Sequence, residues 1–446
     1  MKSVKAFILA SVAVLFVSCK GDEPQGTDNV IQFYFNPSQL EMTVGAGMVP
    51  GVKYSENFVA KTYDLTANPL GLKFSSSDEK VVTVDGACKV TAVAAGSAVV
   101  KAEGQGIRAS LNVTVVSKVF EMPDVNAKFD PSMVYGQYAL LNGSTGKFTN
   151  AQTFDIDDNG NVWLEGAAKP FVYIQCCTQA GKVNPSTKVL EGFKYKSPMS
   201  IYYAGHGTCL NVEPGSDPKI WFASFGTKQD DGTYLQPRVL SRTSYVPGKK
   251  ITPDQAEEHF YFGEEYIKML PSIDFDTRVV AIWVDSKKTV TMFDLDQVLS
   301  APVKDIAISG IKWGGEAGSP YPKEQDVSIT IKAHDCRSLT PVAVVKPAIT
   351  KGTQGFCVNG PEHTCYHLYG TGEAVDVGLS VFDVKGNFSL KNVGFGFDDD
   401  RAALIANGLN NSEYLEAEGI QIRNGKMYVC VTATIAGTRV ATILRL

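Results

Sequence analysis

The sequence predicts an all-β chain in which a small N-terminal β-sandwich is followed by a five-bladed β-propeller. Apolar and polar residues alternate over short stretches separated by turn residues, and helical periodicity is almost absent after Val125. A polar residue opens a short apolar strand five times between Gln152 and Glu418. These openings are 54 to 76 residues apart, which is typical of radially repeated β-sheets.

Length and composition indicate a globular, exported protein with about two or three domains. The chain has 446 residues, of which 44% are hydrophobic and 20% are charged. Its formal charge of -5 falls to about -7 once Lys2 and Lys5 leave with a signal segment. Because no long basic run remains, a nucleic acid partner is not expected. The chain has no phosphate loop or dinucleotide fingerprint, and no cofactor is predicted.

The first 18 residues have the features of a secretory signal. A Lys-bearing start precedes the apolar run of residues 6–17, which is too short for a stable membrane anchor. The sequence Phe16-Val17-Ser18-Cys19 resembles the lipobox of bacterial lipoproteins, which implies acylation of Cys19. Residues 19–29 then form a flexible tether. Its acidic start, Asp22-Glu23, resembles the export signal of Bacteroidetes surface lipoproteins, so we expect a lipid-anchored outer-membrane protein that faces the cell exterior.

Residues 30–117 are predicted to form the sandwich. Residues 74–102 include the pattern Val81-Val-Thr-Val-Asp-Gly-Ala-Cys-Lys-Val-Thr-Ala, with a tight turn at Asp85-Gly86. This stretch resembles the bacterial Ig-like domain of group 2. That resemblance implies a stalk or an adhesion module, and a spacer is the interpretation we favour over a ligand-binding role.

Residues 118–446 are predicted to form the propeller, with one opening polar residue per blade at the central axis. These five candidate ligand-binding residues are Gln152, His206, Arg278, Gln354 and Glu418. Only about 25 residues follow the fifth opening. The last blade must therefore take its outer strand from residues 125–141, which closes the ring and removes exposed sheet edges.

Two helices and one disulfide are further expectations for this region. Residues 252–266, which open with Thr252-Pro253-Asp254, and residues 400–407 are predicted helices inserted between strands. Cys357 and Cys365 flank the Asn359-Gly360-Pro361 turn, so a bridge across that hairpin is one option, with free thiols as the other. No paired cysteine spacing accompanies the nearby histidines, and no metal site is predicted.

Three of the openings also carry a family resemblance. The Gln152-Thr-Phe opening, the Gly205-His206-Gly207 turn followed by Val212-Glu213, and the Glu416-Ala-Glu418-Gly-Ile opening recur in this order. They resemble the five-bladed propellers of the teichoic acid biosynthesis protein C-like and helveticin J-like sequences. The resemblance implies the fold more than a defined biochemistry, and it has no clear counterpart around Arg278.

The chemistry of the openings favours binding over catalysis. His206 lies between two glycines, where a ligand can approach closely. Glu418 is the only carboxylate that we expect on the axis, whereas propeller glycosidases need at least two for catalysis. We therefore predict that the pocket binds an extracellular glycan or cell-envelope polymer. The alternative is an enzyme, either a glycoside hydrolase or a metal-dependent lyase, in which His206 and Glu418 act as acid and base.

Overall fold

A computed structural model describes residues 30–446 except 94–95, 117–119, 216, 371–376, 400 and 410–414. Cys19 and the predicted signal and tether segments therefore lie outside the described residues, as does the predicted domain boundary between residues 117 and 118. The chain is nearly all β, with 51% strand and 7% helix. None of the described helices is long and apolar enough to cross a membrane.

The strands of residues 31–116 form three small sheets around one hydrophobic core, as expected for a β-sandwich. Leu72, Val82, Val90 and Val100 are among its most buried side chains. The strands are β1 (Ile31–Phe35), β2 (Gln39–Thr43), β3 (Gly47–Met48), β4 (Val52–Glu56), β5 (Val59–Lys61), β6 (Lys73–Ser76), β7 (Val82–Val84), β8 (Val90–Ala92), β9 (Gly96–Gly104) and β10 (Ile107–Val116).

The strand pairing orders the sandwich sheets as β1-β4-β5, β2-β10-β9-β6 and β3-β8-β7. Strands β2 and β10 are parallel and end together, with Thr43 opposite Val116. The chain therefore leaves the sandwich at the end where β2 and β10 both finish. Membership of the bacterial Ig-like family stays a prediction.

Among the described strands after residue 130, neighbours in a sheet run antiparallel in all but two pairs, as is usual in propellers. The first half contains β11 (Val134–Tyr138), β12 (Leu140–Leu141), β13 (Phe148–Thr149), β14 (Thr153–Ile156), β15 (Val162–Ala168), β16 (Phe171–Gln179), β17 (Lys182–Val183), β18 (Leu190–Glu191), β19 (Lys194–Tyr195), β20 (Met199–Tyr202), β21 (Leu210–Val212), β22 (Lys219–Ser224), β23 (Thr227–Lys228), β24 (Tyr234–Leu235), β25 (Val239–Ser244), β26 (Lys250–Ile251) and β27 (Glu258–Tyr261).

The second half contains the remaining strands and both α-helices. These are β28 (Met269–Asp274), β29 (Val279–Val284), β30 (Thr289–Asp294), α1 (Leu295–Ser300), β31 (Val303–Trp313), β32 (Gln325–Asp335), β33 (Ala343–Val345), β34 (Gly355–Asn359), β35 (Thr364–Tyr369), β36 (Gly378–Phe382), β37 (Phe388–Gly394), α2 (Arg401–Ala406), β38 (Glu416–Arg423), β39 (Lys426–Ile435) and β40 (Thr438–Arg445). Short 3-10 helices occupy Pro131–Met133, Pro253–Gln255, Glu264–Tyr266, Cys336–Ser338 and Gly396–Asp399.

Five four-stranded blades form a closed ring, which confirms the predicted propeller. From the axis outward they are β14-β15-β16-β20, β21-β22-β25-β27, β28-β29-β30-β33, β34-β35-β36-β37 and β38-β39-β40-β11, numbered here as blades 1 to 5. Each innermost strand contacts the innermost strands of both neighbouring blades. The last blade takes its outer strand from the early segment β11, which pairs antiparallel with β40. The ring closes as the sequence predicted.

Neighbouring innermost strands are joined by bonds from side chains to backbone, because they do not pair with one another as strands. Asp155 of blade 1 accepts from the Val212 amide of blade 2 at 2.7 Å, and Ser272 of blade 3 accepts from the Val358 amide of blade 4 at 3.0 Å. Gln421 of blade 5 donates to the Phe154 carbonyl of blade 1 at 3.1 Å. These polar side chains hold the blades in register around the axis.

One of the two predicted helices is wrong. Residues 252–266 form two short 3-10 turns on either side of β27, the outer strand of blade 2. The Thr252-Pro253 start is a real capping motif, with the Thr252 amide donating to the Gln255 side chain at 3.0 Å. It caps only one turn, because the residues that follow pair with β25. The helix near residues 400–407 is present as α2.

The eight described cysteines are free thiols. Cys357 is opposite Tyr366, and Cys365 is opposite Val358. Because alternate residues of a strand face opposite sides of the sheet, this register places the two thiols on different faces. Cys357 accordingly packs in one hydrophobic cluster and Cys365 in another. A bridge across the hairpin would require a one-residue change of register.

Candidate functional site

Three predicted site residues meet where the innermost strands begin. Gln152 precedes β14, Gln354 precedes β34 and Glu418 lies inside β38. The backbones of these strands approach closely: a Cβ on Gly355 would lie 3.0 Å from the Gly419 Cα, and one on Gly419 would lie 3.1 Å from the Thr153 hydroxyl oxygen. Blades 4, 5 and 1 thus bring these three openings to one level of the axis.

Glu418 is the centre of a buried hydrogen-bond network. Its Oε1 accepts from Asn150 Nδ2 at 2.9 Å and from Gln152 Nε2 at 3.1 Å. The Thr432 hydroxyl also reaches it, at 3.5 Å. The Glu418 side chain is only 2% exposed. The amides of blade 1 and the carboxyl of blade 5 therefore form one polar unit across the blade boundary.

Glu416 belongs to the same unit. Regular pairing between β38 and β39 is interrupted between Ala417 and Gly419, at Glu418. Glu416 and Glu418 are alternate residues, and their side chains are hydrogen-bonded to each other. Burial raises the pKa of Glu418 well above its usual value, and the neighbouring Glu416 carboxylate raises it further. Both effects favour the neutral form of the Glu418 carboxyl, while the charge of Arg439 acts in the opposite direction.

His206 lies in the loop before β21, beside this unit. Gly205 and Gly207 flank it with φ angles of 123° and 74°, and a Cβ on Gly207 would lie 2.9 Å from the Gly166 carbonyl carbon. The loop therefore requires glycine next to His206. The imidazole is exposed, yet the surrounding protein lowers its pKa by desolvation, while Glu416 and Asp231 act in the opposite direction.

A cavity of about 190 Å³ lies against His206. Its walls include Lys169, Phe171, Thr233 and Tyr234, which come from blades 1 and 2. The Lys169 ammonium donates to the Asp231 carbonyl at 2.5 Å, and so it spans the two blades. The cavity therefore adds aromatic walls and one cation to the polar unit near the axis.

Arg278 is not part of this site. The sequence analysis placed residues 278–285 on the axis, but β29 is the second strand of blade 3, and the innermost strand is β28. Arg278 lies in the turn between them, with a φ of 57°, and pairs with exposed Asp296. That turn follows the end of an innermost strand, so Arg278 is at the opposite end of the propeller from Gln152 and Glu418. The apolar run of β29 misled the prediction, because the innermost strand β28 is less apolar and contains Pro271, Ser272 and Asp274.

The opposite end of the axis is closed by a buried ion pair. Arg423 donates to both carboxylate oxygens of Asp155, which is 0% exposed, and its Nη2 also donates to the Val212 carbonyl at 3.1 Å. A cavity of about 40 Å³ lies beside Arg423 at this end, and a second of about 330 Å³ lies between the propeller and residues 44–46 of the sandwich. A Cβ on Gly45 would lie 3.2 Å from Asp276 Oδ1, so the sandwich covers this end. We therefore call the other face, with His206 and Glu418, the open face.

A larger groove of about 670 Å³ lies on the sandwich. It runs over the sheet formed by β2, β10 and β9, and its lining contains Gln39, Ser97, Asn112 and Thr114 but no charged or aromatic side chain. Such a lining offers little to orient a ligand. We therefore place the candidate site on the propeller.

Sequence patterns did not indicate three further residues at or near the site: Asn150, Glu416 and Glu165, whose carboxyl is buried. Glu165 pairs opposite Thr153, is 1% exposed, and accepts from the Cys209 amide at 3.0 Å. Burial raises its pKa well above the usual value. Glu416 was within the quoted motif, and its spacing of two residues from Glu418 was a usable signal, because alternate strand residues share a face. Asn150 and Glu165 gave no such signal.

Metal ligation has no candidate cluster in the part of the chain that the structure describes. Within those residues, no group of three or more His, Cys, Asp or Glu side chains is placed to hold a metal ion.

Comparison with known proteins gives distant structural neighbours. No protein-family model and no curated protein match the chain. A solved structure of the WD40 domain of Toxoplasma gondii coronin has 11% identity and a TM-score of 0.28, with 74% of this chain and 78% of that chain covered. An auxiliary nutrient binding protein from Bacteroides thetaiotaomicron has 9% identity and a TM-score of 0.26, with 94% and 97% covered. A quinonprotein alcohol dehydrogenase-like protein from the same species has 11% identity and a TM-score of 0.24, with 91% and 96% covered.

Proposed function

We propose that this protein binds a neutral, hydroxyl-rich ligand, an extracellular glycan or cell-envelope polymer, on the open face of its propeller. The observation that carries the proposal is the Glu418 network, in which a buried carboxyl with a raised pKa accepts from the amides of Asn150 and Gln152. Because burial favours the neutral acid, this unit is suited to both donating and accepting hydrogen bonds. Sugar hydroxyls have the same property.

The groups around the network fit the same ligand class. The lowered pKa of His206 keeps the imidazole neutral at physiological pH, so that it also donates and accepts. The adjoining cavity places Phe171 and Tyr234 beside His206. Aromatic walls next to convergent amides are the usual means by which proteins orient a sugar ring. Gln354, half-buried at the next opening, extends the polar rim towards blade 4.

The orientation of the molecule supports a surface role. The closed end of the axis faces the sandwich near Gly45, and the site lies at the other end of the propeller. We propose that Cys19 is acylated, that the protein is held in the outer membrane by this lipid, and that the sandwich is a stalk. The open face would then point away from the membrane, towards soluble or envelope glycans.

Binding is tested by screening the full chain on a glycan array and measuring the best glycan by calorimetry. We expect His206→Ala and Gln152→Ala each to weaken binding at least tenfold, because both remove groups from the open face. Arg278→Ala is the matched control, since that exposed side chain is at the opposite end of its blade. Equal affinity of all four proteins would reject the proposed site.

Hydrolysis is the second candidate, and the Glu416–Glu418 pair favours it. A carboxyl whose pKa is raised by burial is a suitable general acid, and the second carboxyl and His206 lie beside it. The bound glycan should be incubated with the protein and assayed for new reducing ends. Release by the parent protein and its loss in Glu418→Gln would assign an enzyme, whereas binding without release would assign a binding protein.

A further inference from the structure

The sandwich carries a small apolar tip formed by Val30, Phe58 and Val59. Phe58 is 75% exposed, Val59 is 61% exposed and Val30 is 39% exposed. Phe58 is the most exposed large apolar side chain in the described part of the chain. Exposed single residues of this kind are common, but three adjacent ones on a small module indicate a contact surface.

Hydrogen bonds hold the three residues together. Asn57 and Phe58 form the turn between β4 and β5. The Asn57 amide donates to the Val30 carbonyl at 2.8 Å, and the Val30 amide donates to the Asn57 side chain at 3.1 Å. Phe58 itself has a left-handed φ of 64°, which is unfavourable for an aromatic residue. Neither the left-handed backbone of Phe58 nor its exposed side chain stabilises the fold. The presence of an aromatic residue at this turn therefore needs another explanation.

The tip lies at the end of the sandwich remote from the propeller. The chain leaves the sandwich at Val116, opposite Thr43. The turn before β3 is also at this exit end: the Gly45 amide donates to the Ala92 carbonyl at 2.9 Å, and β9 begins with Gly96 opposite Val115. From there β3 and β4 lead away from the exit, and the Asn57–Phe58 turn follows the far end of β4. Val30, where the described chain begins, is at this same far end.

We propose that the tip inserts into the surface of the lipid bilayer to which Cys19 is attached. The proposal rests on the proposed acylation of Cys19. The eleven residues from Cys19 to Val30 reach at most about 37 Å, so the lipid and the tip share one side of the molecule. An aromatic side chain with aliphatic neighbours suits the membrane interface, and a second weak contact strengthens attachment by acyl chains. The tip would thus orient the stalk, which a flexible tether alone cannot do.

The test uses the full lipidated chain with Phe58→Trp, reconstituted in phosphatidylcholine–phosphatidylglycerol vesicles that contain brominated acyl chains. Fluorescence of the parent protein, from Trp163, Trp221, Trp283 and Trp313, is subtracted as background. We expect a blue-shifted emission that brominated lipid quenches at least twofold. Val344→Trp is the control, because that residue is 62% exposed on the outer strand of blade 3 and should be neither shifted nor quenched.

The outcomes separate the tip from the anchor. Phe58→Trp protein that floats with the vesicles without quenching would overturn the tip proposal and leave the anchor intact. If neither the Phe58→Trp protein nor the Cys19→Ala protein floats with the vesicles, both the tip proposal and the proposed lipid anchor are overturned. If analytical ultracentrifugation shows that the Cys19→Ala protein is a dimer, and that adding Phe58→Ser makes it a monomer, the tip is a self-association surface instead. Phe58→Ser should keep the parent melting temperature, so a loss of function cannot be attributed to unfolding.

Discussion

At the scale of single residues, burial changes the role that the sequence suggested for Glu418. The sequence places Glu418 at the mouth of an axis strand, among the candidate ligand-binding residues. In the structure Glu418 is 2% exposed and Glu165 is 1% exposed, and burial raises the pKa of both well above the usual value. In each case burial favours the neutral acid, because the charged form would lose its hydration; at Glu418 the charge of Arg439 acts in the opposite direction.

We predict that stability falls as pH rises. A carboxyl with a raised pKa in the folded state binds more protons there than in the unfolded chain. Its contribution is therefore fully present below the unfolded pKa of about 4.5 and is lost as pH rises through the folded pKa, by up to about 1.4 kcal/mol per pH unit for each group. Urea unfolding between pH 5 and pH 8 measures this slope by comparison with Glu→Gln variants, because histidines such as His367, whose pKa is lowered to about 4, change stability in the opposite direction over part of this range.

Glu418→Gln should reduce the slope, since glutamine reproduces a protonated carboxyl that donates to Glu416 and accepts from Asn150 and Gln152. Glu165→Gln should do the same independently. The control is Asp296→Asn: Arg278 lowers the pKa of Asp296, so that carboxylate titrates below this pH range and the slope should stay as in the parent. Variants of Glu418 and Glu165 that keep the slope of the parent protein would contradict the assignment of neutral acids.

At the scale of elements, blades exchange strands in two places. Strand β11 completes blade 5, and the hairpin of β31 and β32 is inserted between two strands of blade 3 but pairs with β27 of blade 2. The hairpin also packs on blade 2 through Trp313, whose indole donates to the Gly226 carbonyl at 2.8 Å. Both exchanges tie separate blades together, so the ring resists opening at these boundaries.

Removal of β11 should therefore destroy cooperative folding of the propeller. A fragment of residues 142–446 would leave β40 as an unpaired edge and would expose Ile443 and Leu444, both 0% exposed in the whole chain. We expect a broad, non-cooperative urea transition by circular dichroism and aggregation in solution. A stable monomeric fragment with a sharp transition would refute ring closure by β11. Restoring residues 125–141 should restore the sharp transition.

At the scale of the whole molecule, the sandwich and the propeller each have their own core. The sandwich cluster contains residues from Phe33 to Val115 only, and the propeller clusters contain none of them. The sandwich approaches the propeller at its closed end, through residues 44–46. Stability of the propeller should accordingly depend little on the stalk.

We predict that deletion of residues 31–116 leaves the propeller folded. Its melting temperature should change by less than about 4 °C, which corresponds to a loss of about 1 kcal/mol for a domain of this size or smaller. Calorimetry should show one transition in place of two. Glycan affinity should stay at the parent value, since the open face is at the other end of the axis. A collapse of the remaining transition would show that the two parts fold as one unit.

Much of the fold was predictable from local patterns. Alternating apolar residues predicted the strands, and the Asn359-Gly360 turn indicated a hairpin that the structure contains. The early segment was assigned to the last blade because too few residues followed Glu418. The error in blade 3 arose because β29 is a continuous apolar run whereas the innermost strand β28 is interrupted by polar residues, so Arg278 was placed at the wrong end of the blade.

The sequence by itself determined the all-β class, the five-fold repeat and three of the residues that meet at the open face, because strand periodicity and turn chemistry act over a few neighbouring residues. Tertiary structure alone decided that Glu418 is buried, that Asn150 and Glu416 complete its network, and that one end of the axis is closed by Arg423 and Asp155. Those facts depend on which blades adjoin and how much water each contact excludes. Both are set by packing between residues more than 200 positions apart, such as Asn150 and Glu418.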